Sequence, residues 1–207
     1  MAQSITEVIL GTGNLFVASE TDVNAGDATF PTNPAATPAS SYWDNIGYSE
    51  GGFSLEYDKT FEDILVAEEI DPIKTIKTAQ EVRITGELAQ ASLRSLKFAM
   101  AGGTTTASTP SSGYTTLTPP STDSFEEKSL LLRVNAPGHD EAGTAKVRDI
   151  QVPRAVNVGA FSMTHAKAPQ KVTITVEYKV LKPNSAAPFA QIFKLSLIHI
   201  SEPTRPY

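Results

Sequence analysis

Apolar and polar residues alternate along most of the chain. The clearest stretch is late, where Val172, Ile174, Val176, Tyr178 and Val180 interleave with Lys171, Thr173, Thr175, Glu177 and Lys179. A period of two sends successive side chains to opposite faces, which predicts a half-buried strand. Leu130, Leu132 and Val134 share a parity, less cleanly because Leu131 is apolar as well. Ile150 and Val152 continue the theme up to Pro153, whose missing N–H suits an edge or a strand end. Upstream, Phe53, Leu55 and Tyr57 alternate with Ser54, Glu56 and Asp58. Asp58-Lys59-Thr60 then predicts a turn, with 61–69 returning as a second strand. Before Gly51-Gly52 the parity reverses, with Ile46 and Tyr48 on even positions, and a bulge or bend at the glycines accounts for the switch.

One stretch has a helical period instead. Ala89, Leu93, Leu96 and Met100 fall at i, i+4, i+7 and i+11, one stripe of an amphipathic helix. Glu87 at its start and Lys97 in its last turns suit the helix dipole, and Gly102-Gly103 supplies the stop. Segments 24–41 and 102–124 are rich in Pro and small polar residues and predict long loops, either surface excursions or segments that order against a neighbouring subunit. The expected architecture is mainly β with one flanking helix, in a single domain over 1–194. From Leu195 to Arg205 the chain matches translated sequencing-adapter read-through, so 195–207 is expected to be a foreign scar after Lys194. The apolar run 192–200 is expected to form a strand without biological meaning.

Composition narrows the chemistry. The 207 residues are 40% hydrophobic, enough for one ordinary domain to bury a core. Cysteine is absent, which excludes disulfides, thiol catalysis and cysteine metal sites. Lys+Arg number 17 against 23 Asp+Glu, a net charge of −6 that argues against a surface built to grip phosphates. No run approaches the roughly 20 apolar residues of a membrane span. The first residues carry Glu7 and lack a basic stretch, so neither a secretory signal nor a membrane partner is expected.

The short motifs are weak. Gly47-Tyr48-Ser49-Glu50-Gly51 fits the G-x-S-x-G elbow, but that motif needs a helix to follow the serine, and here a strand is expected. His139-Asp140-Glu141 sits between turn formers and suggests a solvated hairpin tip. Gly11-Thr12-Gly13 lacks the third glycine and the βαβ unit of a dinucleotide fingerprint. His165-Ala166-Lys167 is too short a basic patch to hold nucleic acid. No catalytic, cofactor or metal site is expected. The stronger signal is charge: from 50 to 71 the acids Glu50, Glu56, Asp58, Glu62, Asp63, Glu68, Glu69 and Asp71 face Lys59 alone. Two roles fit: a solvated face that keeps a sheet edge from aggregating, or a surface that repels another polyanion.

The phrases Ile46-Gly47-Tyr48, Gly51-Gly52-Phe53-Ser54-Leu55-Glu56-Tyr57, Val82-Arg83-Ile84-Thr85-Gly86-Glu87-Leu88, Lys146-Val147-Arg148-Asp149-Ile150-Gln151-Val152-Pro153-Arg154-Ala155 and the Val172 strand followed by Pro188-Phe189 occur in this order. In that order the chain resembles the major tail tube proteins of long, non-contractile-tailed bacteriophages. The resemblance implies a β-sandwich or barrel-like protomer with a long β-hairpin, carried over onto 46–69 with 74–87 as a further strand near it, self-assembling into six-fold rings that stack into a tube for DNA ejection. It also implies a virion component made in the host bacterial cytoplasm, a non-enzymatic role, and tape-measure, tail-terminator and tail-tip partners. Double-stranded DNA would pass through without sticking. On that reading Glu50, Glu56, Asp58, Glu62 and Glu68 are candidates to face the lumen. Rival readings are a secretion-system tube subunit of related fold and a β-sandwich carbohydrate-binding or adhesin module. The last has little support, since Trp43 is the only tryptophan available for sugar stacking.

Overall fold

The computed structural model describes residues 12–32, 36–65, 71–90, 92–107, 115–121, 125–136, 146–160, 172–183 and 194–197. Strand β1 (Thr12–Ser19) leads into a short helix, α1 (Glu20–Ala25), with Glu20 and Asp22 at the positive end of its dipole. Gly26 ends this helix at φ 85°. Then follow β2 (Asp44–Asn45), β3 (Ser49–Ile64), β4 (Lys74–Leu88), α2 (Leu93–Ala99), β5 (Thr104–Ala107) and β6 (Thr115–Thr118). The chain continues with β7 (Lys128–Ala136), β8 (Lys146–Asn157), β9 (Ile174–Val180) and β10 (Lys194–Leu197). The fold is mainly β as expected, but it has two helices where one was predicted. The apolar C-terminal run does pair, as β10 against β8.

The main sheet is antiparallel, in the order β2-β1-β7-β8-β9-β4-β3, with β10 beside β8. It does not close into a barrel. Strand β8 is the pivot: one edge pairs with β7, while the other pairs with β10 over 148–151 and with β9 over 155–157. Pro153 lies between those two stretches, so the strand continues through it, and of the two expected placements the open edge holds and the strand end does not. Having no N–H, proline costs nothing where the edge changes partner. A register shift against β7 falls at the same place, between the Lys128–Ala155 and Leu130–Val152 pairs.

The two halves of the sheet share a core. Leu15 and Val17 from β1, Leu130 and Leu132 from β7, and Val152 and Ala155 from β8 pack with Val82, Ile84 and Leu88 from β4 and with Ile174, Val176, Tyr178 and Val180 from β9. The alternation in β9 is thereby borne out. Leu131 points the other way, into a second cluster with Ala18, Val23, Ala28 and Trp43. That second cluster explains the imperfect alternation in β7: both of its faces are covered. Each fully buried Leu, Ile or Val contributes about 1.5–3 kcal/mol, so this body carries a sufficient core of its own.

Three sequence expectations are corrected here. The described part of 24–41 is not a free excursion. Trp43 Nε1 donates to the Thr29 carbonyl at 3.1 Å, Gln151 Nε2 to Pro31 at 3.0 Å and Arg133 Nη1 to Ala36 at 2.7 Å. Segment 102–124 contains the β5–β6 hairpin, because its threonine runs favour strand over loop. Helix α2 begins only after Ser92, whose hydroxyl caps Ser95 N at 3.1 Å. Its buried face is Ser95, Phe98 and Ala99, while Leu93 is exposed. Glu87 and Ala89 belong to β4 and its exit, so the predicted stripe mixed residues of two elements.

Arg133 anchors the outer layer. It meets Asp149 through two bonds of 2.8 Å, with the side chains 7% and 0% exposed. Removing one partner of such a pair leaves a buried charge uncompensated. Arg133→Ala is therefore expected to cost about 3–5 kcal/mol in urea unfolding, and a loss under about 1 kcal/mol would show that the pair is not an anchor.

Candidate functional site

The longest hairpin leaves the body, and over its outer part no described strand lies on either side of it. Among the described residues, strand β3 pairs with β4 and with no other strand, from Ser49 to Ile64. Strand β4 pairs on its other edge with β9, but only from Arg83 to Leu88. Beyond that point both edges are open. Every described residue in 56–65 and 71–80 is exposed, whereas Val82 and Ile84 are buried. The open length is roughly 30 Å, at about 3.3 Å per residue.

The predicted turn at Asp58-Lys59-Thr60 is absent. Strand β3 runs straight through it, and the reversal lies beyond Ile64, where Ile73 N donates to the Ile64 carbonyl at 3.0 Å. The returning strand is β4 rather than 61–69. Polar residues at 58–60 report solvent on a ribbon that the body does not cover, and not a change of direction. The register does shift there, since Thr60 pairs with Ala79 and Phe61 with Lys77, leaving Thr78 as the extra residue of β4.

At the base, the expected bulge at Gly51-Gly52 is present. Ser49 pairs with Leu88 and Phe53 with Gly86, and Gly52 has φ 85°. The Phe53 ring lies over Gly86, where a Cβ would come within 2.4 Å of it. The bulge resets the parity so that Phe53 and Leu55 pack on the core.

Register sorts the ribbon into two faces. One continues the core outward through Tyr57, Lys59, Phe61 and Asp63, paired with Val82, Gln80, Lys77 and Thr75. On this face Lys59 Nζ sits 4.7 Å from the Tyr57 ring centre, Lys77 donates to Gln80 at 2.7 Å and Thr75 to Asp63 at 2.6 Å. The other, outer face carries Ser54, Glu56, Asp58, Thr60, Glu62 and Ile64, opposite Thr85, Arg83, Glu81, Ala79, Ile76 and Lys74. Three of the five candidate acids, Glu56, Asp58 and Glu62, thus share one face. Glu50 sits before the bulge and lines a groove of about 400 Å³ with Gly51, Gly52, Ser54, Thr85 and Glu87. Glu68 lies outside the described residues, as do Gly11, His139 and His165. Ser49 opens β3, so a strand follows it as expected.

Sequence reasoning missed Glu81, which belongs to the same outer face. Its parity with Arg83 and Thr85 against Val82 and Ile84 was the available signal. Glu81 accepts from Arg83 at 2.7 Å and from Lys179 at 3.2 Å, while Arg83 also reaches Glu177. The hydrogen bonds from Arg83 and Lys179 hold the Glu81 carboxyl below its ordinary value, and those to Glu81 and Glu177 raise the Arg83 guanidinium. This cluster sits where the ribbon departs from β9.

A family model described as "Phage tail tube protein" matches residues 1–190. The chain belongs to the phage tail tube protein family. It is accordingly a structural component of the virion tail, and the resemblance seen in the sequence is borne out at that level. Among solved structures, it is similar to a chain of the cryo-EM structure of the anti-feeding prophage baseplate, 6-fold symmetrised. The identity is 10%, over 96% of this chain and 97% of that one, with a TM-score of 0.46. No curated protein matches it. Among the described residues of this tail tube protein, no helix is long and apolar enough to cross a membrane.

The junction cluster makes a pH prediction. A depressed carboxylate stabilises the folded arrangement above its unfolded pKa and loses that contribution as pH falls through the folded one. Glu81 is therefore expected to hold Arg83 and Lys179 at neutral pH and to release them only below its ordinary value of 4.5. The protection of amides 81–83, taken relative to their intrinsic exchange rate at each pH, should fall in that acidic window. In Glu81→Gln exchange should already be fast at pH 7, and a variant indistinguishable from wild type at both pH values would contradict the assignment.

Proposed function

We propose that copies of this chain join through their ribbons into rings that stack as the tube of a long, non-contractile tail, and that double-stranded DNA leaves the virion through it. The observation that carries this reading is the ribbon with both edges unpaired among the described residues, projecting from a body whose core is complete without it. A lone two-stranded ribbon is marginal in water, and its unpaired N–H and C=O groups are templates for another chain. Pairing with sister copies removes those edges, and repetition of a head-to-tail contact makes a closed ring or a filament. The exposed apolar residues support the same reading: Phe61 is 55% and Leu65 65% exposed, with Tyr57, Ile73 and Ile76 also in solvent.

The two faces divide the work. The face that continues the core carries Tyr57 and Phe61 and backs onto protein in an assembly. The outer face carries Glu56, Asp58, Glu62 and Glu81 and continues over β9 through Thr175 and Glu177. Turned toward the channel, it offers DNA carboxylates and hydroxyls. Binding to phosphate gains its affinity from Lys and Arg that displace counterions. Of the cations on this face, Arg83 and Lys179 are already held by Glu81 and Glu177, which leaves Lys74 against Glu56, Asp58 and Glu62. A wall so dominated by acids lets the duplex slide, whereas weak basic contacts repeated ring after ring would add up to retention.

The test uses particles whose tube subunit carries Glu56→Lys and Asp58→Lys. Tails should assemble at normal length, and triggered DNA release should slow at least about tenfold. Unchanged release from full-length tails would refute the lumen assignment, and failure of the purified wild-type chain to form hollow rods or rings at any concentration would refute the tube.

A further inference from the structure

The ribbon has two long free edges, and they differ in charge. Strand β3 carries Glu50, Glu56, Asp58, Glu62 and Asp63 against Lys59. The open part of β4, 74–82, carries Lys74 and Lys77 against Glu81. On the outer face of that open edge the cation is Lys74, which has no hydrogen bond or ion pair among the described residues. The acids Glu56, Asp58 and Glu62 of the same face are likewise unbonded there. Further toward the base, β9 covers β4, and its Lys179 is opposite Arg83, so an incoming strand has room only on 74–82.

We infer that the open edge of β4 receives the β3 edge of a second copy, antiparallel, and that Lys74 sets the register of this seam by pairing with Glu62 of the incoming strand. The inference rests on the tube reading and deepens it by naming which edge meets which. Two β3 edges brought together would oppose carboxylates, and two β4 edges would oppose Lys74 and Lys77, so only the mixed pairing matches charge. It also keeps one polarity around or along the assembly, as a head-to-tail contact requires. The unmatched Thr78 of the β4 bulge adds a second register mark, because an incoming strand must place its irregularity or bend there.

A lysine on a free edge has a simpler role, that of keeping edges apart in monomers. The two roles separate by experiment. A gatekeeper works with either sign of charge, so Lys74→Glu should then assemble like wild type. A seam partner does not tolerate reversal. In the full-length chain, Lys74→Glu alone and Glu62→Lys alone should each raise the concentration needed for rod formation about tenfold, since every seam carries the reversed pair.

An equimolar mixture of the two variants should return to within about threefold of wild type, because Glu at 74 then meets Lys at 62 across copies. Within each single copy the altered charges still repel, so recovery on mixing arises only between molecules. The monomers of both variants should melt with wild type. Wild-type thresholds for the single variants, or a mixture no better than its components, overturn the seam while leaving the tube intact. A wild-type chain that never assembles overturns the tube and the seam together.

Discussion

A peptide group in an edge strand has to find a hydrogen-bond partner, and water is the poorer one once apolar side chains crowd around it. Everything distinctive in this chain follows from placing a long ribbon where the body cannot supply that partner. Strand β9 stops opposite Arg83 and β3 has no outer neighbour among the described residues, so within them the backbone of 56–64 and 74–82 is satisfied on one side only. The body gains nothing obvious from this extension, because Val82 and Ile84 already complete the core at its root. An element that is dispensable to the monomer's core and rich in exposed apolar residues is built for another molecule.

The rest of the structure holds the ribbon at a fixed angle. Strand β8 joins the β1–β7 half of the sheet to the β9–β4 half, and both halves press on one core. The Gly51-Gly52 bulge and the Phe53 ring over Gly86 set the parity at the ribbon's base, and Glu81, Arg83, Lys179 and Glu177 tie its outer face to β9. Arg133 and Asp149 pin the covering segment on the far side.

The strands with one covered face were legible in the sequence. In β9 each apolar residue meets the core and each polar one meets solvent, so periodicity and burial agree. Legibility failed wherever a face was covered or bared for tertiary reasons. Leu131 broke the alternation of β7 because a second layer covers it, and that layer was hidden in a segment rich in Pro and small polar residues. The hairpin was misplaced because Asp58-Lys59-Thr60 looks like a turn, when its polarity reflects a strand bare on both faces. The short α1 has too few residues to show a period. Of the candidate acids, Glu56, Asp58 and Glu62 were grouped by charge alone, and their common face became visible only through the β3–β4 register. Glu81 and Lys74, on the same face, needed that register to be noticed at all.

Amide hydrogen exchange of the chain as monomer and in assembled tubes tests the central claim most directly. The account predicts that 56–64 and 74–82 exchange quickly in the monomer at the amides that point away from the ribbon's own partner strand, and become strongly protected on assembly, while the amides of β7 and β9 hardly change. Protection of those outward amides already complete in the monomer, or no gain in protection within the tube, would contradict it.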